Sequence, residues 1–584
     1  MTTTPARLPL DPVSLAVLRA SLLHAVSEMK NVVLRTAYSN LWKEAGDLSC
    51  GILTAAGDLV APGQGDIPVH LVTMPYSLQG CLARIPSEQL EPGDVLFQND
   101  PYQGNNHLPD LLMAKPVFYG ERIVAYAAVR GHYVDIGGST PGSYSAATRD
   151  IYSEGLRIPP VRIFERGVMN QDVVDILLSN TRNSRERLGD MRSQYAGCLT
   201  AERRVLSLCE RYGPDTLESA MQEILDASER LTRRAIEEIP DGTYTFEDAC
   251  DGDGLTEEPI RLRATVTVDG DSIHVDFTGS SPQVRGGMNA PIAVTMSATC
   301  YAVRCLTAPD EPESSGAYRA VTVTAPLGSV VNPVPPAPVV AGNHETASRI
   351  SDAIIGALAQ AVPDRVSAAG AGTSGVLALG ISVHREGAPV DERILIDVNG
   401  CGQGAFDGGD GPNARRDSVG NTGNTPTEAM EAAFPITVLE YTLNEDGGGA
   451  GRHRGGTSLR RRTRLDHDAT VTFTTDRAVV APYGLFGGHS SPRARFWLEL
   501  PDGSRQTVPS KTPGLELPAG TVIHFQCAGG GGYGDPAERD PAALQDDLDD
   551  GYVTPKAAET LYGVRIERDD GRSDGPWVVA GRRS

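Results

Sequence analysis

The sequence predicts a multi-domain α+β chain, a mixed α/β arrangement with helical N-terminal segments, a strand-rich core and Gly-rich loops. Three observations predict it. Apolar residues recur at helical spacing near the N-terminus and again between about 168 and 240. Short apolar runs broken by Gly, Pro and Asp fill the stretch between them. Glycine and proline are abundant, 64 and 41 of 584 residues, which calls for many turns and backbone-rich loops.

Asp11-Pro12 opens the first helix, an N-cap followed by proline at the first helical position. Leu15, Leu18, Leu22, Val26, Met29 and Val33 form its buried stripe. Residues 40–138 read as strands with loops between them, among them Gly51 to Thr54 and Val124 to Val129. In the next helical stretch Asp215 caps a run of Leu217, Met221, Ile224, Leu225, Leu231 and Ile236, and Pro240 stops it. Residues 241–290 are strand-rich, with a hairpin from Val266 to Val275 turning at Asp269-Gly270. Ser351 to Val362 is a short apolar helix ended by Pro363. Gly-rich loops at 402–411, 447–456 and 529–534 alternate with strands such as Thr470 to Thr474, and Pro541 to Arg565 reads as a small polar helix and turn. The length calls for two to four packed units. They divide as 1–240, an N-terminal metal-site region; 241–340, a β-rich region; and 341–584, a C-terminal mixed α/β region.

Composition sets limits on function. A formal charge of −23 repels phosphate backbones and anionic lipid, which argues against nucleic-acid and membrane-surface partners. No stretch is long and apolar enough to span a bilayer. The nine cysteines are irregularly spaced with no Cys-x-x-Cys pair, so neither a disulfide framework nor a zinc ribbon is expected. With no secretory leader at Met1 to Leu10, the expected location is the cytoplasm.

The densest polar cluster runs from Gln98 to Asp110, and a second follows in Arg130-Gly-His-Tyr-Val-Asp-Ile-Gly-Gly138. His107 and Asp110 flank Pro109, in a turn where side chains can converge, and His132 stands in a Gly-flanked bend. Imidazole nitrogen and carboxylate oxygen suit zinc, manganese or iron, and two His with one carboxylate leave positions open for water or substrate. Asp47 is a candidate fourth ligand. A His-x-x-Asp pair by itself is more often an ordinary surface hydrogen bond than a ligand pair; with His132 in a second polar, Gly-flanked bend, the residues alone leave the two readings level. Gly447 to Gly456, with Arg452 and Arg454, is either an anion cradle or a tight structural loop; no Gly-Lys-Ser/Thr follows it, so it is not a P-loop. Asp466-His467-Asp468 reads as a solvated turn.

These segments together resemble the hydantoinase B/5-oxoprolinase family over nearly the whole chain. The resemblance is carried by Asp47-Leu-Ser-Cys50, Asn99-Asp-Pro101 through Asp110, and Arg130 to Gly138. Glu154-Gly-Leu-Arg-Ile-Pro-Pro160, Gly342-Asn-His-Glu-Thr346, Asn424-Thr-Pro426, Gly484-Leu-Phe-Gly-Gly488 and Gly529 to Gly534 extend it. It implies the metal-bearing subunit of an ATP-dependent cyclic amide hydrolase that opens hydantoin, 5-oxoproline or lactam rings. It implies a hydantoinase A-type partner that holds ATP-Mg, in a heterotetramer or larger assembly, and metal ligands at Asp47, His107, Asp110 and His132. Zinc stands first, with manganese or iron as alternatives. Catalysis would run through His107, Asp110 and His132 by way of a metal-activated water that attacks a carbonyl phosphorylated by the partner. An ATP-dependent ketone carboxylase subunit and a non-catalytic scaffold with a structural metal are the alternatives. Asp100 and Asp135 would either orient the ligand imidazoles or serve as plain loop carboxylates. The stretch Cys401 to Asp407 departs from the family pattern at Phe406 and Asp407, which would alter the substrate pocket if that loop lines it.

Overall fold

The fold is that of a computed structural model describing residues 10–145, 148–387, 390–416, 419–568 and 576–582. A seven-stranded antiparallel sheet organises the N-terminal part, in the spatial order Leu59–Pro62, Leu48–Thr54, Arg122–His132, Asp110–Tyr119, Val95–Gln98, Val161–Glu165 and Val168–Met169. Alternate residues along its central strands go to different cores. Met113, Ala127, Val129 and Phe97 face the layer that holds the helices Pro12–Thr36 and Ser184–Tyr212. Leu112, Tyr126, Ala128 and Leu96 face the helix Pro68–Arg84 on the other side. Burial on both faces is why these strands read as unbroken apolar runs rather than as alternation.

The first helix starts as expected: Asp11 accepts from the Val13 and Ser14 amides at 3.0 Å, and the stripe from Leu18 to Val33 is buried. The helix Pro68–Arg84, in contrast, lies where only strands and loops are expected. Every residue from Val69 to Met74 is buried, so its first turns show no polar face and no 3.6-residue period, and Pro75 sits inside it; a buried stripe at helical spacing, Met74, Ser77, Leu78 and Cys81, emerges only in the second half. Asp215 is inside the first turn of the helix Pro214–Ile236 and not its cap; it pairs with Arg122 at 2.9 Å. Leu231, placed in that helix's buried stripe, is exposed.

A four-stranded sheet follows, Gly242–Cys250, Ile260–Asp269, Ser272–Asp276 and Val321–Thr324, with the expected hairpin at Gly270, whose φ is +56°. The helix Ala347–Leu358 packs on this sheet, beginning four residues before the predicted Ser351 and continuing a π-helical turn, Gly342–Thr346. Farther on, a four-stranded sheet (Asp391–Val398, Val376–Val383, Ala469–Thr474, Lys511–Leu517) and a five-stranded one (Ile436–Leu443, Leu459–Leu465, Val522–Gln526, Arg495–Glu499, Arg505–Val508) enclose a second core containing Leu377, Phe473, Phe496 and Phe525. The tail forms two short helices, Pro541–Asp549 and Pro555–Leu561, and then a hairpin of Val564–Arg568 with Trp577–Arg582 that the sequence does not announce. No described helix is long and apolar enough to cross a membrane, and the nine cysteines form no disulfide.

Candidate metal centre

The site forms where neighbouring strands of the seven-stranded sheet begin and end. Asp110 opens its strand, His132 closes the next, and the two are direct cross-strand partners. Leu48 pairs with Gly131, and the His132 amide donates to the Asp47 carbonyl at 3.1 Å, so Asp47 enters from the adjoining strand. Gly131 has no room for a side chain: a Cβ there would stand 2.1 Å from the Trp42 indole. His107 occupies the turn before Asp110. Asn105 holds that turn, donating to the carbonyls of Asn99, His107 and Asp110 at 3.1, 2.9 and 2.7 Å, while Asn99 donates to Leu108 O at 2.7 Å. The asparagines of the polar cluster therefore satisfy a buried loop's carbonyls.

The ligand-type atoms of His107, Asp110 and His132 lie within 4.8 Å of one another, and all three residues are buried. Two imidazoles converge on one carboxylate oxygen: His107 Nε2 and His70 Nε2 each stand 3.1 Å from Asp110 Oδ2. His107 Nδ1 is 2.9 Å from the Val340 carbonyl, which can only accept, so Nδ1 carries the proton. In the neutral ring Nε2 is then an acceptor, met by the Asn343 amide at 3.4 Å but standing closer, at 3.1 Å, to a carboxylate oxygen. Such a contact is repulsive unless a proton or a cation stands between the two atoms. Asp110 Oδ1 and His132 Nδ1 are also buried without hydrogen-bond partners, and each such orphan costs ~1–3 kcal/mol. A bound cation would relieve all of these at once. By this test the residues fit a divalent metal.

The ionisation states suit the same role. Burial pushes His132 down to about 3, leaving a neutral imidazole. Burial opposes ionisation of Asp110, but positive charge on His70 and His107, when those rings are protonated, holds it well below the usual carboxylate range. Burial raises Asp47 to about 6, with Asp110 adding to the rise and His70, Arg416 and His107 opposing it.

A cleft opens beside the cluster, lined by Asp47, His70, His132, Tyr144, His344 and Arg416, with Val69, Val376 and Ile396 as an apolar wall. Tyr144 Oη is 3.0 Å from His132 Nε2, and the two rings stack with centroids 5.7 Å apart. His344 meets Tyr144 edge-on at 5.5 Å, and its buried Nε2 has no hydrogen-bond partner. Burial and the neighbouring His107 keep His344 neutral. Arg416 brings positive charge to the cleft and donates to Ser374 O at 2.8 Å.

Of the sequence-predicted residues, His107, Asp110 and His132 come together, and Asp47 lines the same cleft without joining that group. Asp135 accepts from the amides of Gly137 and Gly142 and from Arg182 Nη1, at 2.9, 3.0 and 2.9 Å. Asp100 accepts from the Tyr102 amide at 3.0 Å. Both are loop carboxylates, and the groups that orient imidazoles are the Val340 carbonyl and Tyr144. Arg454 pairs with Asp547 and Arg452 with Asp407, so the Gly447–Gly456 loop is structural. Phe406 and Asp407 are exposed and do not line the cleft. Sequence reasoning missed His70, Tyr144 and Arg416. His344 sits in one of the segments that carry the family resemblance, the one signal that could have singled it out.

Sheet, turn and buried His/Asp cluster together define a class. The Hydantoinase B/oxoprolinase family model matches residues 11–536, and the chain belongs to that family. Among its relatives is the putative B-type subunit of the D-/L-hydantoinase of Pseudomonas sp. (strain NS671), 31% identical over 95% of each chain. Another is the beta subunit of the caprolactamase of Pseudomonas jessenii, 32% identical over 95% of this chain and 96% of that one. The crystal structure of the ATP-dependent caprolactamase from Pseudomonas jessenii superposes with a TM-score of 0.90 at 29% identity, covering 97% of this chain and 98% of that one. Nucleotide-free acetone carboxylase shares the fold, at a TM-score of 0.90 and 20% identity, over 98% of this chain and 81% of that one.

Proposed function

We infer that the chain is the metal-bearing subunit of an ATP-dependent cyclic amide hydrolase. The observation that carries this is the buried His107–Asp110–His132 cluster, in which Asp110 Oδ1 and His132 Nδ1 have no hydrogen-bond partner. Its setting, a family member close in sequence to hydantoinase and caprolactamase subunits, supplies the substrate class. Acetone carboxylase, at 20% identity, supports the fold alone, so hydrolysis stands ahead of carboxylation.

His107, Asp110 and His132 would hold the ion, with Asp47 as the fourth ligand, zinc first and manganese or iron next. When bound, such an ion supplies Lewis acidity and makes water nucleophilic near neutral pH. The chain's own side chains do the rest. Val340 and Tyr144 orient the His107 and His132 rings. His344 Nε2 is placed to hydrogen-bond one group in the cleft, either water or substrate. Arg416 adds positive charge to the cleft, and Val69, Val376 and Ile396 exclude water from an apolar ring. An amide carbonyl resists water because resonance makes it a poor electrophile, and phosphorylation of its oxygen removes that protection. We assign the phosphorylation, and ATP-Mg, to a hydantoinase A-type partner in a cytoplasmic heterotetramer or larger assembly.

The test is ATP-dependent ring opening by the purified pair on hydantoin, 5-oxoproline and caprolactam. Turnover that requires both ATP and the metal is expected. No turnover across the panel, with labelled bicarbonate entering a ketone instead, would replace this reading with the carboxylase.

A further inference from the structure

We propose that Glu154 is a positioning residue for the metal centre, acting through the backbone of Val339–Val340 on the His107 imidazole. This role rests on the metal reading above but belongs to a residue outside the cluster. Glu154 Oε1 accepts from the amides of Val339 and Val340, at 2.8 and 2.9 Å. The carbonyl of that same Val340 accepts His107 Nδ1–H at 2.9 Å. One carboxyl oxygen thus anchors, through the two peptide units before it, the residue whose carbonyl sets the tautomer and orientation of a ligand ring.

The segment needs such an anchor. Its sequence, Pro335-Pro-Ala-Pro-Val-Val340, has few amide donors and joins no sheet. It is held by side chains and turns. Tyr102 Oη donates to Ala337 O at 2.7 Å, Asn289 Nδ2 to Pro338 O at 2.9 Å, and the Ala341 amide to Gly287 O at 2.8 Å. Among the described residues, only Glu154 accepts from the two amides immediately before the His107 contact. The space is closed on the far side: a Cβ on Gly287 would stand 2.9 Å from Val340 Cγ1 and 3.4 Å from Glu154 Oε1. Glu154 itself is buried, and burial pushes its carboxyl up to about 8. A neutral carboxyl still offers the one acceptor oxygen that this geometry uses.

Metal affinity tests the inference without any turnover. Zn2+ binding to the full chain is measured by competition with a chromogenic chelator, for wild type, Glu154→Ala, Glu154→Gln and the remote core variant Leu498→Ala. Loss of a group that orients a ligand imidazole weakens metal binding about 10–100-fold, and that loss is expected for Glu154→Ala. Glu154→Gln keeps the acceptor oxygen and should bind with wild-type affinity, outside the loss of about 10-fold that marks removal of the orienting group. Leu498→Ala should lower Tm and leave the affinity unchanged. Wild-type affinity in Glu154→Ala, or an equal loss in Leu498→Ala, overturns the proposal. If Glu154→Ala does not fold, Glu154→Asp decides, since it draws the oxygen back by one methylene: weakened binding supports the role and unchanged binding ends it. Absence of Zn2+ binding by wild type would instead count against the metal reading.

Discussion

Two buried clusters of charge lie in this molecule, and they differ in where their positive charge comes from. Around Arg349 the carboxylates of Asp248, Asp352 and Asp476 meet Arg349, Arg477 and Lys511; Arg349–Asp248, Arg477–Asp248 and Lys511–Asp476 lie at 3.2, 3.0 and 2.8 Å. That cluster is its own counterion. At the candidate metal centre, Asp110 has two imidazoles and the Asn106 amide against it, and among the described residues neither Asp47 nor Asp110 forms an ion pair with Lys or Arg. Arg416 is felt by Asp47 only at a distance. Buried charge is retained where it is paired or where it coordinates a metal. The first cluster follows the first rule, and the second makes sense under the other.

His132→Ala should give the largest effect. It removes a proposed ligand, so we expect loss of bound metal and a fall in ATP-dependent turnover of about 10,000-fold, equivalent to ~5.5 kcal/mol, with the circular dichroism spectrum unchanged. Loss of folding and of partner binding together would make the cluster structural instead. Arg349→Met should do the reverse. Among the described residues it leaves Arg477 as the one ion-pair partner of both Asp248 and Asp352 in the interior and should cost ~3–5 kcal/mol of stability, read as a lower urea midpoint, with metal content per folded molecule unchanged. If Arg349→Met also emptied the metal centre, the two clusters would be one cooperative unit and the contrast between them would fail. Metal itself provides a third test: Zn2+ at about 100 times its Kd should stabilise the chain by ~2.7 kcal/mol, an increment that His132→Ala abolishes and Arg349→Met retains. A wild-type Tm indifferent to Zn2+ would contradict the metal reading.

The two clusters also differ in how far the sequence reveals them. His107, Asp110 and His132 fall in two short polar segments, because a hairpin brings the start of one strand beside the end of the next. Local sequence therefore carries most of that site. His70 is hidden because the first turns of its helix are buried on consecutive positions and so have no amphipathic period. His344 and Glu154 reach the site from segments more than two hundred and some twenty residues away from His132, and nothing in their local composition marks them; only the family segments do. The Arg349 cluster is invisible altogether. Its members come from the strand Gly242–Cys250, the helix Ala347–Leu358, the loop after Thr474 and the start of the strand Lys511–Leu517, each an ordinary charged residue until the fold brings them together. The Gly-rich loops are conspicuous in the sequence for another reason. At Gly402, Gly456 and Gly529 a Cβ would meet backbone within 2.6 Å, so they serve close backbone packing and not chemistry.

Glu313 is the intermediate case and gives the smallest expected effect. It is buried, with one cation nearby, Arg304 at 3.8 Å. Burial raises its carboxyl from 4.5 to about 7, against the opposing pull of Arg304. The folded state therefore holds a proton that the unfolded chain gives up at lower pH. The resulting stabilisation is fully present below 4.5 and is lost as pH rises through about 7. Between pH 5 and 7 this amounts to about 2 kcal/mol. Glu313→Gln keeps a neutral side chain at every pH, so its urea midpoint should fall less than that of wild type over this interval. Parallel profiles would show Glu313 ionised in the fold, with one arginine at 3.8 Å enough to sustain a buried carboxylate. The lack of a Lys or Arg ion pair at Asp110 would then lose its force as a sign of metal, because the more distant Arg416 could do for the metal centre what Arg304 does for Glu313.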